Sequence, residues 1–91
     1  MKTYSFIKIV ERDVKQIKNF LVKEDAIEYL KKDFKKEFDK EWATNDEEWD
    51  GYSFDDGDVG INEDFTFAYI NDTDIGNIDM YVIPSMVKTK Q

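Results

Sequence analysis

The chain has 91 residues, which suffice for one domain around one hydrophobic core. It carries 21 acidic and 13 basic residues, giving a net charge of −8, and contains neither cysteine nor histidine. Their absence excludes disulfides, zinc fingers, thiol chemistry and imidazole acid–base catalysis. The apolar share of 41% and the aromatic share of 15% are too high for a disordered acidic tail. The composition therefore indicates a folded acidic domain.

The apolar runs of the sequence argue against a membrane or secreted location. No run approaches the roughly 18 residues of a membrane span. Lys8 falls inside the stretch that would have to be the apolar part of a signal peptide. We therefore expect a cytoplasmic protein without a membrane partner.

The first predicted element is a β-hairpin. Residues 4–10 (Tyr-Ser-Phe-Ile-Lys-Ile-Val) are rich in β-branched and aromatic side chains, which favour a strand. Glu11-Arg12-Asp13 forms a polar break, and residues 14–22 alternate more weakly. We predict a hairpin over residues 4–22, with a short helix over residues 14–21 as the alternative.

A long amphipathic helix follows. Its apolar positions recur every four residues, at Ala26, Leu30, Phe34, Phe38 and Trp42. Glu24 and Asp25 lie in the predicted first turn, where carboxylates complement the helix dipole. The pattern predicts a helix from about residue 23 to about residue 43, closed by Thr44-Asn45.

The period changes to two after Gly51. Residues 52–54 predict a short strand, residues 65–70 a strong one and residues 78–83 a last one, which Pro84 is expected to end. We therefore predict an α+β fold in a single small domain over residues 1–84. An antiparallel sheet of four or five strands, in ββαββ order, would carry one long amphipathic helix on one face. Residues 85–91 are expected to form a loose C-terminal tail.

The predicted strands are apolar on both faces. The strongest places Phe65, Phe67 and Tyr69 on one face and Thr66, Ala68 and Ile70 on the other. Antiparallel strands with one wet face normally alternate apolar and polar residues. Because one helix covers only one face, we expect the other face to be covered by residues 44–60, by a second copy of the chain or by a partner protein.

Charge is distributed unevenly along the chain. Residues 1–42 contain 9 acids and 11 bases, whereas residues 43–87 contain 12 acids and no base. Like charges within about 8 Å of one another repel, so a stretch without cations carries a cost that a mixed surface avoids. Two interpretations remain open. The charge serves only solubility, or it forms a negative field directed at a basic partner.

Catalytic and metal-binding patterns are weak. Without histidine, no serine has an evident base for acyl transfer. Hard oxygen ligands suited to calcium or magnesium do cluster, at Asp55, Asp56, Asp58, Glu63 and Asp64. A calcium loop starting at Asp56 would place Ile61 at the required glycine and Phe67 at the closing glutamate. We therefore interpret the cluster as a solvated loop and predict a protein without enzymatic activity, metal or cofactor.

Direct binding of nucleic acid is also disfavoured. The helix has four lysines, Lys31, Lys32, Lys35 and Lys36. Acidic residues lie between and around them, and phosphate binding depends on cations that are not compensated in this way. The sequence pI of about 4.4 gives overall repulsion from a duplex.

Two functional hypotheses remain. The first is a small inhibitor that binds and blocks a basic partner, expected to be one that binds nucleic acid, with carboxylates in the positions where phosphates bind. Phage anti-restriction and anti-CRISPR inhibitors and nuclease immunity proteins share this size and charge, but no motif links the chain to them. The second is a generic interaction or homodimerisation module. The predicted contact residues are Asp55, Asp56, Asp58, Trp49, Tyr52, Glu47 and Glu48.

Overall fold

A computed structural model describes residues 2–41 and 49–86 of the chain. Its elements are β1 (Lys2–Val10), β2 (Asp13–Phe20), α1 (Lys23–Glu41), β3 (Phe54–Asp55), β4 (Val59–Ile61), β5 (Phe67–Thr73) and β6 (Gly76–Met86). The strands form one antiparallel sheet in the order β2-β1-β6-β5-β4-β3. The predicted α+β class, with one helix and an antiparallel sheet, is confirmed for this part of the chain.

The number and order of the strands differ from the prediction. The sheet has six strands instead of four or five, and the element order is ββαββββ instead of ββαββ. The additional strand β4 is the tripeptide Val59-Gly60-Ile61, too short and too glycine-rich to show a period of two. It becomes a strand because its backbone pairs with β3 on one side and with β5 on the other.

The N-terminal hairpin and the helix agree with the sequence patterns. β1 and β2 pair through a two-residue turn, which excludes the alternative of a helix over residues 14–21. Glu11 and Arg12 in that turn have φ of 50° and 73°, the left-handed geometry that matches the twist of hairpin strands. The helix begins at Lys23, as predicted, and is described up to Glu41, while its expected closing residues lie outside the described ranges.

Strand β5 begins two residues later than predicted. The side chain of Asn62 accepts hydrogen bonds from the backbone N–H groups of Thr66 (2.9 Å) and Phe67 (3.1 Å), which closes a tight loop before the strand. Phe65 has a φ of 59° in this loop, and its ring lies 4.7 Å from the ammonium group of Lys31 on α1. The local turn therefore overrides the alternating pattern at residue 65.

Strand β6 continues through Pro84, contrary to the expectation that the proline would end it. The backbone N–H of Val82 donates to the carbonyl of Thr66, on the side of β6 that faces β5. Alternation directs the nitrogen of Pro84 to the same side, where β5 has not yet begun, since its first residue pairs with Tyr81. A missing N–H there breaks no ladder bond, so the proline is tolerated.

One face of the sheet packs against α1 and forms the core. Alternate residues of the strands meet the apolar stripe of the helix. The buried set is Phe6, Val10, Ala26, Leu30, Phe34, Phe38, Val59, Ile61, Ala68, Ile70, Ile78, Met80 and Val82. The described part of the chain contains no helix whose length and apolar content would let it cross a bilayer.

An ion-pair network lies at the interface between sheet and helix. Lys8 projects from β1 toward α1, and its Nζ atom lies 2.9 Å from Asp33 and 3.6 Å from Glu37. The side chains of the lysine and of Asp33 are 12% and 10% exposed, and that of Glu37 is 4% exposed. A charge removed from water to this extent needs a close partner. This requirement explains why a lysine occupies the inner face of a central strand.

We expect Lys8→Met to destabilise the domain by about 2 kcal/mol, because Asp33 and Glu37 would lose their nearest cation. The effect is limited because Lys36 and Lys40 remain within 3.7 Å and 3.8 Å of these two carboxylates. Urea denaturation measures the loss. Lys35→Met, which alters an exposed pair, is the matched control and should cost less than about 1 kcal/mol. Equal losses in the two variants would contradict a role for the network.

Candidate interaction surface

The face of the sheet opposite α1, here called the outer face, carries a row of apolar side chains. The strand register aligns Ile17 of β2, Ile7 of β1, Tyr81 of β6 and Phe67 of β5. Ile17 is 61% exposed, and the other three are half-buried. Within residues 2–41 and 49–86, no helix or strand lies over this row. The outer face is thus an apolar surface in contact with solvent in the described structure.

A second row runs parallel to the first and ends in a carboxylate. It crosses five neighbouring strands of the sheet, β1, β6, β5, β4 and β3. Its residues, in that order, are Ile9, Asp79, Tyr69, Gly60 and Asp55. The rings of the first row pack beside it: the Phe67 ring lies 5.8 Å from that of Tyr69, with 26° between the planes. Aromatic rings and acidic groups therefore share the β3 side of the outer face.

Tyr69 links β5 to β3 across the short strand between them. Its hydroxyl donates a hydrogen bond to Oδ1 of Asp55, and the backbone N–H of Gly57 donates to the same oxygen at 3.1 Å. The side chain passes over Gly60, where a Cβ atom would come within 2.8 Å of the Tyr69 ring. Glycine at this position is therefore what allows the tyrosine to reach the aspartate.

These hydrogen bonds shift two pKa values in opposite directions. The Tyr69 hydroxyl, and after it the Gly57 N–H, lower the pKa of Asp55 below its usual value because both favour the ionised carboxylate. Donation to that carboxylate raises the pKa of Tyr69 above the usual value for a tyrosine. At neutral pH the pair consists of a charged aspartate and a neutral phenol.

The other two predicted aspartates lie in the turn between β3 and β4. Asp56 and Asp58 are exposed, and the carbonyl of Asp58 accepts a hydrogen bond from the N–H of Asn71 at 2.7 Å. The contact brings this turn next to the C-terminal end of β5, which carries the exposed Asp72. Three predicted contact residues therefore lie together on the β3 edge of the sheet.

Of the two predicted aromatic contacts, Trp49 lies on the helix side of the sheet. Trp49 is half-buried with its ring 5.1 Å from that of Phe34, and its indole N–H donates to the carbonyl of Tyr52 at 2.8 Å. Phe54 packs between Phe34 and Phe38. Residues 44–60 were one expected cover for the open face. Their described part, residues 49–60, instead extends the core on the helix side. Tyr52 is 72% exposed.

Two further predicted contact residues, Glu47 and Glu48, lie outside the described residues.

Four of the six lysines of α1 pair with acids of the same helix. Such pairs join Lys31 to Glu28, Lys35 to Asp39, Lys36 to Asp33 and Lys40 to Glu37. In the described ranges, by contrast, neither a lysine nor an arginine lies within ion-pair distance of the three aspartates at the β3 edge. Their negative charge is therefore offset by solvent and salt alone in the structure shown.

The acidic residues that suggested a cation loop do not come together. Asp56 and Asp58 lie at one end of β4, and Glu63 and Asp64 at the other, because the strand separates the two loops. Among the residues that the structure describes, no three acidic side chains are grouped closely enough to hold a metal ion. The acids form two separate groups along one side of the sheet.

Sequence reasoning did not assign Tyr81 or Gly60 to a contact surface. The signal was present, since the strands read as apolar on both faces. Which of the two faces the helix covers depends on strand register. The role of Gly60 depends on its pairing with Tyr69, which the sequence does not reveal.

Comparison with known proteins leaves the chain without an assigned relative. No protein-family model, no curated protein and no solved structure matches it. The surface must therefore be interpreted from its own geometry.

We expect Asp55→Asn to lower the pKa of Tyr69 toward its usual value, because an amide does not hold the hydroxyl proton as a carboxylate does. The pair stabilises the fold fully below the usual tyrosine pKa, and this contribution is lost as pH rises through the raised value. It is also lost as pH falls through the lowered pKa of Asp55. Ultraviolet absorption of tyrosinate during an alkaline titration measures the shift.

Tyr69→Phe should remove the phenol that ionises last, which assigns that component of the titration. Tyr52→Phe removes an exposed tyrosine and should leave the same component in place. An unchanged late component in Asp55→Asn would show that the two side chains are not bonded in solution.

Proposed function

We propose that this protein is a non-catalytic inhibitor that binds and blocks a basic partner protein through the β3 side of its outer face. The partner would be one that itself binds nucleic acid, and the carboxylates would occupy its phosphate-binding groove. Phage anti-restriction and anti-CRISPR inhibitors and nuclease immunity proteins act in this general manner. The observation that carries the proposal is that, among the residues the structure describes, an uncovered aromatic row meets carboxylates that have no cation beside them.

The charges support a role in guiding association. Asp55, Asp56 and Asp58 lie at an exposed edge, and four lysines of α1 are engaged with acids of their own helix. A one-signed patch attracts an oppositely charged surface from a distance and orients it before contact. Such a patch supports binding to a cationic protein and opposes binding to nucleic acid, whose phosphates it repels.

The aromatic rings support an anchored contact after the encounter. Phe67 packs with Tyr69 and with Tyr81, whose ring lies 5.1 Å away. Rigid aromatic side chains contribute much of the binding energy at protein interfaces because they bury a large area with little loss of conformational entropy. Base stacking on these rings is disfavoured because Asp55 and Asp79 flank them, whereas stacking platforms lie in positive grooves.

A homodimerisation or general interaction module is the second candidate. It is favoured by the opposite end of the first row, where Ile17 and Ile7 expose apolar surface away from the acids. Two copies meeting at this end would bury the isoleucines without bringing the acidic edges together. This candidate predicts self-association that depends on apolar area and little on salt.

The proposed function predicts capture of a nucleic-acid-binding protein that duplex DNA and salt both displace. Immobilised protein is exposed to host lysate at two salt concentrations, and the eluate is identified by mass spectrometry. Replacing Asp55, Asp56 and Asp58 together by asparagine should slow association with the purified partner about tenfold at low salt. Association rates are measured by surface plasmon resonance.

The matched control replaces three exposed acids on the other side of the molecule, Asp13, Glu28 and Asp39, by their amides. It changes the net charge equally and should slow association less than about twofold if location matters. Equal rates for the wild type and the triple asparagine variant would contradict the proposal. Self-association of the chain would favour the second candidate, if light scattering detects dimers and Ile17→Lys abolishes them.

A further inference from the structure

A recess of about 390 Å³ opens where the two rows of the outer face meet the acidic edge. Four of the side chains that line it, Asp55, Glu63, Phe67 and Tyr69, belong to β3, β5 and the loop between β4 and β5. We call this recess the notch. Its volume lies at the lower end of the roughly 300–1,000 Å³ found for ligand pockets, which suits one side chain.

A pair of aromatic rings, Phe67 and Tyr69, lines part of the notch. Gly60 contributes indirectly, because its missing side chain leaves room for Tyr69 to lie across β4 and reach Asp55. On one side, the rings of Phe67 and Tyr69 are stacked, with 26° between their planes. Both rings line the notch, so a flat group that enters it meets an aromatic wall.

The notch also carries negative charge, since two carboxylates line it together with the rings. Asp55 uses Oδ1 for both of its hydrogen bonds, and its Oδ2 accepts none from the described residues. Glu63, exposed on the loop after β4, adds a second carboxylate. No lysine or arginine is among the described residues that line the notch. Two carboxylates beside two ring faces therefore face solvent without a cation.

We propose that the notch binds an arginine side chain of the basic partner, an inference that rests on the proposed function. The guanidinium group would stack on the rings of Phe67 and Tyr69 and donate hydrogen bonds to Asp55 and Glu63. This occupant follows from charge and shape together. A planar cation with five N–H donors satisfies ring faces and carboxylates at once.

The same geometry discriminates against lysine. An ammonium group is compact and strongly hydrated, and it cannot stack flat on a ring while donating in two directions. A purely electrostatic surface would accept the two cations almost equally. Preference for arginine therefore distinguishes a shaped site from general acidity.

The test uses two synthetic peptides of equal length, an oligoarginine and an oligolysine, titrated into the full chain at low salt. We expect the arginine peptide to bind about fivefold more tightly by isothermal titration calorimetry. In NMR spectra, the ring protons of Phe67 and Tyr69 should shift with the arginine peptide and much less with the lysine peptide.

Glu63→Gln should weaken the arginine peptide about fivefold, and Asp64→Asn less than about twofold. The two variants remove one charge each from the same exposed loop, but only Glu63 lines the notch. Phe67→Leu keeps an apolar side chain and removes the ring face, so it should abolish the preference for arginine over lysine. Near-ultraviolet circular dichroism verifies that each variant is folded.

The outcomes separate this inference from the function on which it rests. Equal affinities for the two peptides, with Glu63→Gln and Asp64→Asn equally weakened, would overturn the notch and leave the acidic inhibitor intact. Failure of the wild type to bind either peptide at low salt would overturn both. Preference for arginine that disappears in Glu63→Gln and Phe67→Leu supports the notch.

Discussion

In the described parts of the chain, a six-stranded sheet has two faces and one helix covers one of them, and this imbalance determines the rest of the structure shown. Burial of apolar area drives α1 onto one face, where the core from Phe6 to Met80 excludes water. The opposite face retains apolar side chains in register, from Ile17 across to Phe67, without a described element above them. An apolar face left open on a small acidic domain is the physical reason for proposing an interaction surface.

The hydrogen bond from Tyr69 to Asp55 connects the open face to the acidic edge. Strand β3 has two residues and pairs with a strand of three, so the backbone ladder alone holds it weakly. The tyrosine passes over Gly60 and joins this outer strand to the longer β5. The same contact lowers the pKa of the aspartate and fixes it beside aromatic rings. One pair of side chains thus both holds the edge strand in place and positions the charge of the surface.

The sequence predicted elements best where a pattern is local and long. The stripe from Ala26 to Phe38 specifies the helix, and alternation specifies β1 and β6. The short strand β4 was missed, because Val59-Gly60-Ile61 becomes a strand only through pairing with its neighbours. The candidate site divides in the same way. Asp55, Asp56 and Asp58 were found by their charge, whereas Trp49 belongs to the helix-side core by virtue of its contact with Phe34.

The sequence by itself determined the class of the fold, the position of the helix and the uneven distribution of charge, because composition and periodicity are local properties of the chain. Only the tertiary structure decided which sheet face stays open, and that Tyr69 meets Asp55 across Gly60. These facts depend on strand register and on contacts between residues distant in sequence, since a shift of one residue moves every side chain of a strand to the other face. No local pattern contains that information.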